Sequence, residues 1–113
     1  MLFSKKELNF EVPKVMGVIN LTPDSFSDGG KFTCSKTLKT DRNKVLKEIE
    51  KMERGGAAFI DIGAESSRPG ASIISVAEEL DRLMPILEDI KNINAVVSID
   101  SSKGEVIFEA IKY

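Results

Sequence analysis

The sequence predicts an α/β protein whose parallel strands are joined by helical crossovers, and three observations carry that expectation. Short apolar runs at Val15–Ile19, Ala57–Ile62 and Ala95–Ile99 read as buried strands. Between them, and after the last, apolar residues recur at helical spacing. A polar segment follows each run directly: Asn20–Gly30, Gly63–Ala71 and Asp100–Lys103. Strand and helix alternating at this spacing imply right-handed βαβ crossovers.

The elements follow in order along the chain. Leu8, Phe10 and Val12 alternate with Asn9 and Glu11, which predicts a first strand before Pro13-Lys14 turns the chain. With the run after it, this gives a short N-terminal β-hairpin leading into the fold. Val15-Met16-Gly17-Val18-Ile19 is continuous, the pattern of a strand covered on both faces. The stretch from Asn20 to Thr40 is rich in turn formers, and at roughly 20 residues it is long for a connection without a function. From Asp41, Val45, Leu46, Ile49 and Met52 make one helical face, ended by Gly55-Gly56. After the second strand and a polar loop from Gly63 to Ser72, Ser75 and Glu78 fit a capping box. The helix they open turns Leu80, Leu83 and Leu87 inward and is expected to kink or break at Pro85. A third strand ends at Asp100, and a third helix starts from Lys103. Met16, Met52 and Met84 are expected in the core.

Composition narrows the function. With 113 residues, 42% of them hydrophobic, the chain has room for one domain and one modest core. Its net charge of −2 gives no electrostatic reason to bind nucleic acid. No apolar run approaches the ~20 residues of a membrane helix, and Met1–Lys6 lacks a signal-peptide pattern, so a cytoplasmic protein is expected. Cys34 has no second cysteine to pair with, and the chain has no histidine. Ser-His and Cys-His nucleophiles and His-ligated metals are thereby excluded from this chain. The final helix runs to Tyr113 without a stop signal, so the chain is expected to be the front portion of a longer protein.

In a parallel α/β protein the C-terminal ends of the strands face one side, where ligands bind. Asn20, Ser66, Ser67, Arg68 and Asp100 should therefore converge, although they are far apart in sequence.

Those segments also carry a family resemblance. Val15-Met16-Gly17-Val18-Ile19-Asn20-Leu21-Thr22-Pro23-Asp24-Ser25-Phe26-Ser27-Asp28-Gly29-Gly30 resembles the first signature of the dihydropteroate synthases. Asp61-Ile62-Gly63-Ala64-Glu65-Ser66-Ser67-Arg68-Pro69-Gly70-Ala71 resembles the second, and Val97-Ser98-Ile99-Asp100-Ser101-Ser102-Lys103 the third strand end. The resemblance implies a TIM-type (β/α)8 barrel, of which residues 1–113 would be the first three βα units of a single pterin-binding domain. A complete barrel takes ~250 residues, so the piece alone should be inactive. The implied reaction condenses 6-hydroxymethyl-7,8-dihydropterin diphosphate with 4-aminobenzoate. A homodimer is implied for the full-length protein.

Residue by residue, the resemblance implies that Asn20 serves Mg²⁺, for which an amide oxygen is a suitably hard ligand. Asp100 would hold the pterin and offset positive charge developing on its methylene. A rival role for Asp100 is as the N-cap of the following helix. Arg68, catalytic together with Asp100, and Ser67 would grip diphosphate, and Pro69 and Phe26 would also bind substrate, Phe26 in the aminobenzoate pocket. Ser67 stands where the family usually has threonine, Ala64 for a glycine, Ser101 for a threonine and Gly104 for a proline; none of these changes removes a reacting group. Asp61 and Glu65 are expected to act structurally. Two other readings stand beside this one: a pterin-binding barrel of the corrinoid methyltransferase type, and a non-catalytic truncated fragment.

Overall fold

Three parallel strands form the centre of the molecule, and side chains from three helices pack into the core against them. The structure is a computed structural model, and it describes residues 2–3, 6–7, 9–22, 41–65, 69 and 73–113. Ahead of the main sheet, β1 (Leu2–Phe3) pairs antiparallel with β2 (Lys6–Glu7). Then come β3 (Met16–Asn20), α1 (Arg42–Arg54), β4 (Phe59–Gly63), α2 (Val76–Ile90), β5 (Val96–Asp100) and α3 (Gly104–Ala110). The main sheet has the order β3-β4-β5, all parallel. Among the described residues no helix is long and apolar enough to cross a membrane.

Local chemistry sets the helix ends. The Asp41 carboxylate accepts the Lys44 amide at 3.2 Å and caps α1. At the other end Gly56 takes φ +100, a backbone that side-chain-bearing residues avoid, and the chain turns out of the helix there. Ser75 Oγ accepts the Glu78 amide at 3.1 Å, the expected first half of the capping box. The Glu78 carboxylate instead takes Arg82 Nη2 at 2.9 Å, one turn on. A bidentate Arg42–Asp89 pair ties the start of α1 to the end of α2. It holds the Asp89 carboxyl below its usual range.

The core lies on one face of the sheet. Register places Gly17, Ile60 and Val97 in one row and Ile19, Ile62 and Ile99 in another, two residues on. Ile19, Ile60 and Ile62 have no exposed surface, and they pack in one cluster with Val45, Ile49, Leu83, Ile86 and Val106 from the helices. Each such side chain contributes about 1.5–3 kcal/mol by leaving water. Gly17 lets α1 sit close, since a Cβ there would lie 2.5 Å from Met52 Sδ.

Three expectations are corrected. The alternation at residues 8–12 does not make a strand over the described residues 9–12. The Asn9 side chain accepts the Glu11 amide at 2.8 Å, a local bond that turns the chain instead. Phe10 then stacks on Phe59, ring centroids 6.0 Å apart. Next, β3 is covered on one face only, and Met16 and Val18 are about half exposed. Met16 is therefore not core, whereas Met52 and Met84 do pack against it. Finally, α2 continues through Pro85 without a break. Leu83, Ile86, Leu87 and Ile90 are buried on either side of the proline. Their combined burial exceeds the ~3 kcal/mol that an interior proline costs.

Candidate active site

The sheet face turned away from the core holds the candidate site, and parallel register builds it. Phe10 lies against the lower end of that face at Phe59, and Gly63 at the centre of the site row is buried. Asn20 pairs with Gly63, and Gly63 with Asp100, so the three form one row across the ends of β3, β4 and β5. Paired residues point to the same face, and adjacent strands lie about 4.8 Å apart. The amide of Asn20 and the carboxylate of Asp100 thus flank a floor of bare backbone roughly 10 Å wide. A Cβ on Gly63 would sit 3.6 Å from Asp100 Oδ2, in the middle of that floor. Both flanking residues are exposed. Neither side chain hydrogen-bonds to a described residue, which leaves amide and carboxylate open to a ligand.

The exit of β3 is fixed from behind. The Leu21 amide donates to the Gly63 carbonyl at 2.7 Å, and Leu21 and Thr22 are buried. On the same face, two residues before the site, Val18, Asp61 and Ser98 are paired in register. Asp61 Oδ1 accepts the Ser98 hydroxyl at 2.6 Å, so that carboxylate is engaged within the sheet. Helix capping does not use Asp100. The N-cap of α3 is Lys103, three residues on, and it makes no side-chain cap bond.

Beside Asp100 lies a charged cluster that joins three elements. Lys103 Nζ donates to Glu65 Oε2 at 2.7 Å and to Glu79 Oε2 at 3.2 Å. Glu65 Oε2 also accepts the Ile74 amide at 3.1 Å, and Ser102 Oγ approaches Glu65 Oε1 at 3.4 Å. Ser101 Oγ donates to Glu79 Oε1 at 2.8 Å and accepts the Lys103 amide at 3.1 Å. The bond from Lys103, and then that from the Ile74 amide, holds the Glu65 carboxyl below its usual range. The bond to Glu65 in turn raises Lys103, with burial opposing it and Glu79 adding to it. Arg82 Nη1 donates to the Ala64 carbonyl at 2.8 Å and braces the same loop entry.

Of the site residues expected from sequence, Asn20 and Asp100 are brought into one row. Pro69 is exposed. Phe26, Ser67 and Arg68 lie outside the described residues, as do Ser66 and Cys34. Glu79 is the residue that sequence reasoning missed. Its signal was present: it lies four residues before Leu83 and eight before Leu87, on the buried stripe of α2. A carboxylate on an apolar stripe marks a buried polar partner.

As to a metal, the described residues contain no group of three or more His, Cys, Asp or Glu that could hold one. At the end of β3 they offer one hard amide oxygen, that of Asn20. That fits Mg²⁺, which keeps several waters and takes much of its coordination from substrate phosphates.

Comparison with known proteins identifies the family. The pterin binding enzyme family matches over residues 16–113. The chain is 44% identical over 108 residues to the dihydropteroate synthase of Haemophilus influenzae, covering 95% of this chain and 37% of that protein. Its structure superposes with a TM-score of 0.87 on a Yersinia pestis dihydropteroate synthase in complex with a sulfonamide drug. That pair is 39% identical, over 99% of this chain and 38% of the other. A Burkholderia cenocepacia dihydropteroate synthase complexed with 7,8-dihydropteroate gives a TM-score of 0.74 at 35% identity, over 96% and 32% of the two chains. The chain therefore spans roughly a third of the length of the relatives it matches.

Proposed function

Because the chain belongs to the pterin binding enzyme family, we propose that it forms the first part of a dihydropteroate synthase barrel. Its three βα units would supply the first three strand ends of a (β/α)8 site, with residues 1–113 in one domain. The product is 7,8-dihydropteroate, made from 6-hydroxymethyl-7,8-dihydropterin diphosphate and 4-aminobenzoate. The observation that carries the reading is the Asn20–Gly63–Asp100 row, an amide and a carboxylate left open across a bare glycine floor.

The chemistry is a substitution at the pterin methylene. The C–O bond to diphosphate breaks and its electron pair leaves with diphosphate. The aminobenzoate amine forms the new C–N bond and then gives up a proton. Asp100 accepts hydrogen bonds from the pterin ring and stabilises positive charge that builds on the methylene as diphosphate departs. Arg68 and Ser67 bind diphosphate oxygens, Pro69 lies beside them, and Phe26 contributes to the aminobenzoate pocket. Asn20 would hold Mg²⁺, which when bound would offset the charge of the leaving diphosphate. No covalent nucleophile is required, in keeping with a chain that lacks histidine. Positioning and fixed charge supply most of the rate.

The proposed protein acts in the cytoplasm as a homodimer when full length, and the 113-residue chain alone does not complete the site. Two observations favour incompleteness: Met16 and Val18, on the face of β3 turned away from the core, are about half exposed, and the three parallel strands among the described residues fall short of a closed barrel. The test is to give the full-length protein labelled 4-aminobenzoate, pterin diphosphate and Mg²⁺, with the 113-residue chain in parallel. Labelled dihydropteroate from the former and none from the latter is expected. No product from the full-length protein would sink the assignment, and turnover by the isolated chain would sink the claim of incompleteness.

A further inference from the structure

We infer that Glu79 is a positioning residue that fixes the backbone on which Asp100 is presented. The inference rests on the functional reading above in one respect, that Asp100 meets the pterin. The Asp100 carboxylate hydrogen-bonds to no described residue, so its placement depends on the backbone that carries it. That backbone leaves β5 into a short turn, and Glu79 anchors the turn from α2. It is fully buried, and its two carboxylate oxygens take different partners: Oε1 the Ser101 hydroxyl, Oε2 the Lys103 ammonium. These are the residues one and three after Asp100. Ser101 Oγ closes the unit by accepting the Lys103 amide.

Core packing gives no reason for a carboxylate here. Glu79 shares the buried stripe of α2 with Leu83, Ile86, Leu87 and Ile90. A well-packed apolar side chain in place of a buried ion pair is often as stable or more so. What an apolar residue could not do is hold a hydroxyl and an ammonium in a fixed relation to the end of β5. Rate and affinity respond steeply to such placement, with a shift of about 1 Å costing on the order of 100-fold.

The test crosses Glu79→Gln with Asp100→Ala in the full-length protein and reads the affinity for 6-hydroxymethylpterin. Glutamine keeps an acceptor for Ser101 but turns a donor toward Lys103. A residue acting through Asp100 should weaken binding about tenfold when Asp100 is present. It should change binding by less than about twofold in the Asp100→Ala background. Equal losses in both backgrounds, or none in the first, would overturn the inference. Ser101→Ala, which removes the hydroxyl link and spares the ion pair, is expected to follow the same pattern if Glu79→Gln fails to fold.

Amide hydrogen exchange provides a readout that needs no ligand. The Lys103 amide, which donates to Ser101 Oγ, should exchange faster in Glu79→Gln than in the parent, while those of β3 and β4 keep their rates. Unchanged exchange of the Lys103 amide would refute the positioning role even if pterin affinity fell. If the parent protein binds no pterin, the functional reading fails, and the exchange rates alone decide the inference.

Discussion

Replacing Asp100 with asparagine separates a ligand contact from a structural one. The side chain is exposed, caps no helix and hydrogen-bonds to no described residue. Its loss should leave folding stability within about 0.5 kcal/mol of the parent. A pterin that donates to it loses a hydrogen bond to a charged acceptor, worth about 1.5–3 kcal/mol. At 1.4 kcal/mol per decade this is roughly a 10- to 150-fold fall in affinity. Turnover should fall further, because charge on the methylene is greatest in the transition state. Isothermal titration with 6-hydroxymethylpterin and urea unfolding, both on the full-length protein, read the two quantities. Pterin affinity within twofold of the parent, or an equal loss in binding and folding stability, would refute the contact.

Three other perturbations follow from the same geometry. Gly63→Ala adds a methyl at ordinary contact distance from Asp100, so urea unfolding should show equal or higher stability. The methyl occupies the floor between Asn20 and Asp100, and calorimetry should find pterin binding weakened by about 1–3 kcal/mol. Gly104→Pro should stabilise by about 0.4–1 kcal/mol in denaturant titrations. Gly104 opens α3 in open space, with nothing within 4 Å of where a Cβ would lie. Lys103 before it is extended at φ −109, ψ 120, as a residue before proline prefers. The Glu65–Lys103 pair sets a pH window. Glu65 is lowered, so its contribution is present above the ordinary glutamate pKa of about 4.3 and is lost as pH falls through its folded value. Lys103 is raised, so its contribution is present below about 10.4 and is lost as pH rises through its folded value. The stability difference between parent and Glu65→Gln should be flat between about pH 5 and 10 and shrink on either side.

How much of this was legible in the sequence depended on how local each signal is. Ser75 and Gly55-Gly56 act on neighbours within one turn, and the structure uses both where the sequence placed them. The Asn20–Asp100 row was legible for another reason: parallel topology puts every strand end on one side. At Pro85 the expected break is absent because the rule for proline is local, whereas the burial that carries α2 through it comes from the sheet and the other helices. Val15–Ile19 misled because an apolar run reports what a strand can be covered by, not what this chain covers it with. For Glu79 the sequence carried the sign of a buried carboxylate but not the identity of its partners. Its partners lie 22 and 24 residues away, and only the packing of α2 beside the β5 end brings them into reach.

A crystal structure of the full-length protein with 6-hydroxymethylpterin and diphosphate bound tests the central claim most directly, because that claim is geometric. The pterin should lie over Gly63 with ring or amino nitrogens within about 3.2 Å of the Asp100 carboxylate. Diphosphate should sit on the Asn20 side of the same row. A pterin bound away from the ends of β3, β4 and β5, or one whose nitrogens are met by other groups while Asp100 faces solvent, would contradict it.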